Sequence, residues 1–220
     1  NFRVDFGIVW RIVKIGIPSS ISGMQISFGQ LVLMWFIVPF GTVAVAAHTL
    51  AQRVQSILFM MGMAMGMGAG VLAGQNLGAG QPERAEKGVW IAIGLVTGLM
   101  VISAVAILLW AESIVRVFNS DPGTVKIASI FLRIATIGYL MLGPFSILMQ
   151  SLSSVGDTLP PLLVSLLSFW LVNIPLAYFL SQLSNFGTYG IRWAMVTRRL
   201  VGAVALIIYF KMGIWKRKKI

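Results

Sequence analysis

Six stretches of the chain are apolar enough and long enough to cross a bilayer as helices: residues 15–40, 43–77, 88–110, 125–152, 159–180 and 189–212. About 20 residues, rising about 1.5 Å each, span the roughly 30 Å of hydrocarbon. A transmembrane β-barrel instead alternates apolar and polar positions in short segments. The runs here do not alternate, so they read as helices. Breaks fall at 39–41, 78–82, 121–123, 156–161 and 185–187, and each contains proline or glycine. The predicted fold is an all-α membrane protein of six transmembrane helices, forming one unit over residues 1–220. Asp157 is expected to cap the fifth helix, with Pro160 and Pro161 in its first turn, where a missing N–H costs little.

Charge sets the orientation. Only 10% of residues are charged, against about 25% in a soluble domain, and mean hydropathy is +0.90. The net charge of +11 lies at the ends of the apolar runs and not on one soluble face, so no nucleic-acid partner is expected. Arg3, Arg11 and Lys14, then Arg84 and Lys87, then Lys211, Lys216, Arg217, Lys218 and Lys219 share one side if there are six spans. Arg116 and Lys126 are the main basic residues opposite. Excess Lys and Arg mark the cytoplasmic side, so both termini are expected there, in a multi-pass protein of the inner (plasma) membrane. Cysteine is absent, which removes disulfide and thiol chemistry. The opening residues lack a cleavable signal, and a start at Asn1 suggests a piece of a longer protein.

Gly62, Gly66, Gly70, Gly74 and Gly78 repeat every four residues and put a smooth ridge on one face of the second helix. Tight helix packing is the expected use, with a sliding surface as the alternative. Met60, Met61, Met63, Met65 and Met67 interleave with them; methionine suits both varied apolar ligands and ordinary core filling. Gln52, Ser56, Met60 and Met63 fall on one stripe, and Pro18, Ser22, Gln25 and Gly29 form another on the first helix. Gln150 closes the fourth helix, while Asn173 and Pro175 lie in the fifth, where proline is expected to kink it. Together they are candidates to line a central cavity, although helix-to-helix hydrogen bonds account for each separately.

Arg53, Arg198 and Arg199 lie within spans, the last two near the middle of the sixth, where a charge costs at least ~2.5 kcal/mol. No Asp or Glu falls inside the six stretches. Their partners are therefore carbonyls, anionic cargo, lipid phosphate or a carboxylate elsewhere in the protein. The candidate substrate pathway is Gln25, Gln52, Arg53, Ser56, Met60, Met63, Gln150, Asn173, Arg198 and Arg199. His48, the one histidine, reads as structural; it lacks the companions a metal site needs. An intramembrane enzyme would need paired aspartates, Ser/His or a zinc motif, and Gly74–Gly80 lacks the Gly-Lys-Ser/Thr ending of a phosphate loop. No enzyme activity is expected.

The segment GQNLGAGQPERA at 74–85 resembles the cytoplasmic loop signature of the multidrug and toxic compound extrusion (MATE) family. AAHTLAQR at 46–53, GDT at 156–158 with Pro160, NIPLAY at 173–178 and YFKMGIWK at 209–216 resemble further family segments in the right order. The resemblance implies one six-helix lobe, the carboxy-terminal one, of a twelve-helix two-lobe transporter whose amino-terminal lobe is its partner. It implies antiport of Na⁺ or H⁺ against small cationic amphipathic compounds by alternating access, with no cofactor. Some members hold the coupling cation on acids of the first and fourth helices of this lobe. Here those helices carry none, and the fourth-helix position falls at about Pro144. The coupling ion is therefore expected in the amino-terminal lobe. Two alternatives stay open: a lipid-linked oligosaccharide flippase of the same superfamily, with arginines gripping phosphate, and a half-size protein that pairs with itself.

Overall fold

The computed structural model describes residues 6–183 and 186–217. Arg3, Asn185, Lys218 and Lys219 lie outside the described residues, as do the side chains of Arg11, Lys14 and Arg217. Every described element is helical. The order is α1 Phe6–Ile37, α2 Thr42–Gly78, α3 Pro82–Arg116, α4 Pro122–Tyr139, α5 Leu142–Ser154, α6 Leu159–Leu167, α7 Ile174–Tyr178 and α8 Thr188–Lys211. Five spans are long and apolar enough to cross a membrane, and α4 with α5 forms a sixth that is bent by 56°. The third span runs further than its apolar stretch, through a non-helical Trp110 to Arg116. That extension brings Glu83, Glu86 and Glu112 onto the ends of α3.

The fourth span was expected as one helix over 125–152, and it is broken between Tyr139 and Leu142. Pro144 supplies the reason. It has no N–H to give the carbonyl of Leu140, so the ladder cannot continue across that turn. Asp157 also differs from expectation. Thr158 begins α6 without a side-chain cap. Asp157 is 2% exposed and instead accepts a 2.5 Å hydrogen bond from the Tyr209 hydroxyl, tying the loop before α6 to α8. In the fifth span a π-helix over Ser168–Asn173 leads directly into Pro175, and a second π segment covers Phe179–Leu183. The wider turns absorb the proline's missing N–H.

Between lipid-facing helices apolar burial gives little drive to associate, so close packing has to supply the attraction. The glycine ridge of α2 does this against α5. A Cβ on Gly62 would lie 3.1 Å from Leu142 and Ser146, and one on Gly66 would lie 3.2 Å from the carbonyl of Ser146. Gly70 is closest of all, with its Cβ site crowded by Ser154 Oγ and 3.2 Å from the Gln150 carbonyl. Gly78 has nothing near it and ends the ridge. One buried cluster joins α2, α3, α4 and α5 with the end of α8, through Val89, Met100, Leu132, Ile147 and Leu206. A second joins α1, α7 and α8 through Leu33, Ile37, Ala177 and Ala194. α8 therefore links the two halves of the bundle.

Both ends of the bundle are closed by short local devices. Lys216 pairs with Glu86 at 2.6 Å, and Trp215 stacks on Phe210, so the tail folds back onto the start of α3. At the far end Asp121 caps α4 by accepting the backbone N–H of Thr124 at 2.8 Å. The Thr124 hydroxyl and backbone N–H hold its carboxyl below the ordinary carboxylate range. A depressed carboxylate stabilises the fold above its unfolded pKa and loses that contribution as pH falls through the lower folded value. Hydrogen exchange at the Thr124 and Val125 amides should therefore speed up in Asp121→Ala at neutral pH. The unsubstituted protein should lose that protection, relative to the intrinsic exchange rate at each pH, only when the pH falls below the ordinary carboxylate range. Equal exchange in the two proteins at pH 7 would remove the cap from the account.

Candidate functional site

A cleft of about 170 Å³ opens at mid-depth between α1, α2 and α8. α8 brings Arg198 and Arg199 to it, and Thr188 and Lys211 bound that helix, so both arginines stand about 15–20 Å from either end. α2 contributes Gln52, Gln55, Ser56 and Phe59, and α1 contributes Gln25 and Gln30. Phe169, on the π segment of the fifth span, forms an apolar wall. Gly29 lets that ring in: a Cβ there would lie 2.5 Å from the ring's tip.

The polar side chains are held in three ways. Gln25 is fully paired, donating to the Ser165 carbonyl at 3.0 Å and accepting from the Ser165 hydroxyl at 3.1 Å. That pairing joins α1 to α6. Arg199 donates to Gln55 Oε1 at 3.3 Å, and Arg198 lies over the Phe169 ring, 5.1 Å from its centre. The Gln55 amide nitrogen is buried and has no hydrogen-bond partner among the described residues. Among the described residues no carboxylate lines the cleft. A guanidinium at this depth is costly without a counter-charge, and a neutral amide with an aromatic face offsets only part of that cost.

Of the ten residues expected to line a pathway, the structure gathers Gln25, Gln52, Ser56, Arg198 and Arg199 at the cleft. The other five lie elsewhere. Arg53 points outward from α2, where its carbonyl accepts from Ser56 at 2.7 Å. Met60 and Met63 are 68% and 39% exposed and do not line the cleft. Gln150 packs against Gly66 in the seam between α2 and α5. Asn173 is fully buried on the π segment, with neither amide atom partnered among the described residues. The α2 stripe therefore contributes its first two members only: the cleft ends at the level of Phe59, and Met60 and Met63 lie beyond it on an exposed face.

Gln55 and Gln30 were missed by the sequence reading, though each is a polar residue close to one that was singled out. Arg192 was missed as well. It is 2% exposed, donates to the His48 carbonyl at 3.1 Å and lies over Phe131 at 4.5 Å. Its Nε and Nη1 atoms have no partner among the described residues. His48 is buried beside it. The Gln52 amide donates to ring nitrogen Nε2 at 2.9 Å, which leaves the ring proton on Nδ1, an atom without a partner. A larger depression of about 540 Å³ lies at the far end among Glu112, Arg116 and Lys126. It is a surface hollow at loop level, not a pocket within the bundle.

Comparison with known proteins adds the lineage. The MatE family model matches residues 18–179. The chain is 24% identical over 222 residues to the probable multidrug resistance protein YoeA of Bacillus subtilis (strain 168), covering 99% of this chain and 47% of that protein. It is 26% identical over 212 residues to the probable multidrug resistance protein NorM of Thermotoga maritima, covering 96% and 45%. The fold superposes on the MATE transporter ClbM, solved in complex with Rb⁺, with a TM-score of 0.90 at 18% identity, over 98% of this chain and 51% of that one. The chain thus spans about half the length of the curated relatives it matches.

Proposed function

The chain belongs to the MatE family, and from that premise we propose that it is the carboxy-terminal lobe of a secondary active exporter of small amphipathic compounds. In this reading the cleft between α1, α2 and α8 faces the amino-terminal lobe and forms half of the cargo path. The observation that carries it is a polar, partly open cleft at mid-depth in an otherwise apolar bundle. A structural helix seam would be closed; this one stays open and presents two arginines.

The coupling ion, Na⁺ or H⁺, is assigned to the amino-terminal lobe, because the described α1, α4 and α5 contain no acid, and the family resemblance puts the acid-bearing position of some members at about Pro144. Both termini are placed on the cytoplasmic side of the inner membrane, supported by basic residues at the end where Lys216 meets Glu86. The flippase reading is the weaker one: of the three arginines it called on, Arg53 faces away from the cleft. No catalytic chemistry is assigned.

The test is resistance and dye efflux in cells expressing the full-length gene. Gln52→Ala and Arg198→Ala should each remove most of the resistance while leaving membrane expression intact. Unchanged resistance in both would sink the cleft as a cargo path. Rescue of a flippase-deficient strain without any efflux would favour the other reading.

A further inference from the structure

We propose that this cleft is an anion-accepting site, one that receives the oxyanion group of an amphipathic ligand on Arg198 and Arg199. The proposal rests on the cleft being a cargo site and specifies the charge of the cargo. Family resemblance leads one to expect cationic compounds, yet among the described residues the cleft has no carboxylate to receive them. It holds two adjacent guanidiniums instead.

Geometry supports this in three steps. First, the arginines are not neutralised within the described chain. The described ion pairs are Arg133 with Glu112 and Lys216 with Glu86, both on other surfaces. Second, the two guanidiniums meet only neutral acceptors: the lining offers amide and hydroxyl oxygens but, among the described residues, no carboxylate. Gln55 gives its oxygen to Arg199 at 3.3 Å, a neutral partner that holds the guanidinium in place without cancelling its charge. An oxyanion presents several lone pairs, and charge-assisted hydrogen bonds to it are about twice as strong as neutral ones. Third, space and polarity match an amphiphile. The cavity of about 170 Å³ is several times the roughly 30 Å³ share of one water, so it admits a carboxylate, sulfonate or phosphate group. Phe59, Phe169 and Met195 border it and suit an adjoining apolar body.

A competing occupant is a carboxylate of the amino-terminal lobe, and the experiment separates the two. Full-length protein in phosphatidylcholine nanodiscs is titrated with two dyes on one xanthene scaffold: anionic carboxyfluorescein and a cationic rhodamine ester. Fluorescence anisotropy reads the binding. The wild type should prefer carboxyfluorescein, with affinity falling as salt rises. Arg198→Gln combined with Arg199→Gln should weaken carboxyfluorescein about tenfold or more and leave the rhodamine ester unweakened. Arg116→Gln, at the far end of the bundle, should change neither. Loss of carboxyfluorescein binding in phosphatidylglycerol nanodiscs would support the site with a lipid phosphate as its occupant; unchanged binding would support a soluble amphiphile.

A wild type that prefers the cationic dye overturns the proposal whether or not the variants fold. So does a double variant that binds carboxyfluorescein normally. A wild type without preference, together with a double variant that melts early, overturns it in favour of an interlobe ion pair. Efflux of the rhodamine ester without arginine-dependent anion binding would leave the exporter reading intact and sink this one. Arginine-dependent binding with no efflux of either dye would do the reverse.

Discussion

Gly70→Leu should lower the thermal unfolding temperature sharply and loosen α2 from α5, whereas Gly68→Leu on the same helix should have little effect. A Cβ at residue 70 already collides with Ser154 and lies 3.2 Å from the Gln150 carbonyl, which is backbone and cannot rotate away. At residue 68 nothing lies within 4 Å. Overpacking a tight seam costs about 1–3 kcal/mol, and the three further carbons of leucine put the effect at the upper end. In a membrane that loss is not regained elsewhere, because association depends on contact itself. Thermal melting of the two variants in one detergent checks the pair. Equal melting temperatures would show that the ridge is not a packing surface.

The second large effect has the opposite sign. Arg192→Met should raise the melting temperature by the equivalent of about 1–4 kcal/mol. Arg192 is fully enclosed, meets one backbone carbonyl and one aromatic ring, and leaves two donor atoms without partners among the described residues. Burying such a charge costs several kcal/mol, and methionine fills a similar volume with no charge to desolvate. The His48 carbonyl keeps its place in the α2 ladder either way. A fall in stability instead would mean that the His48 carbonyl and the Phe131 ring compensate the buried charge more fully than a neutral side chain can.

The spans were legible because each is a long apolar run punctuated by Gly and Pro, and both signals act locally. The break in the fourth span was legible in principle: Pro144 lies four residues beyond Leu140, the last turn of α4, but a proline near the middle of an apolar run reads as a kink, not as a second helix. Asp157 was misplaced because a sequence shows the cap position but not Tyr209, which lies 52 residues away and supplies the partner. The cleft was half legible. Polar residues at helical spacing located Gln52 and Ser56, but which turns face the cleft depends on how the glycine ridge rolls α2 onto α5, and that is a property of two helices together. Arg192 was passed over because it sits one turn inside α8, close enough to the loop to read as a boundary charge. In three dimensions α4 covers it.

The π segment over Ser168–Asn173 has a consequence for descent. A π turn accommodates one residue more than the α turn it replaces. When relatives are aligned through the fifth span, those without the extra residue should therefore carry a one-position gap within 168–173. Removing a residue there would turn everything downstream by about 100° about the helix axis, carrying Asn173 and Pro175 off their present faces. The widened turn thus fixes which faces of the fifth span Asn173 and Pro175 occupy.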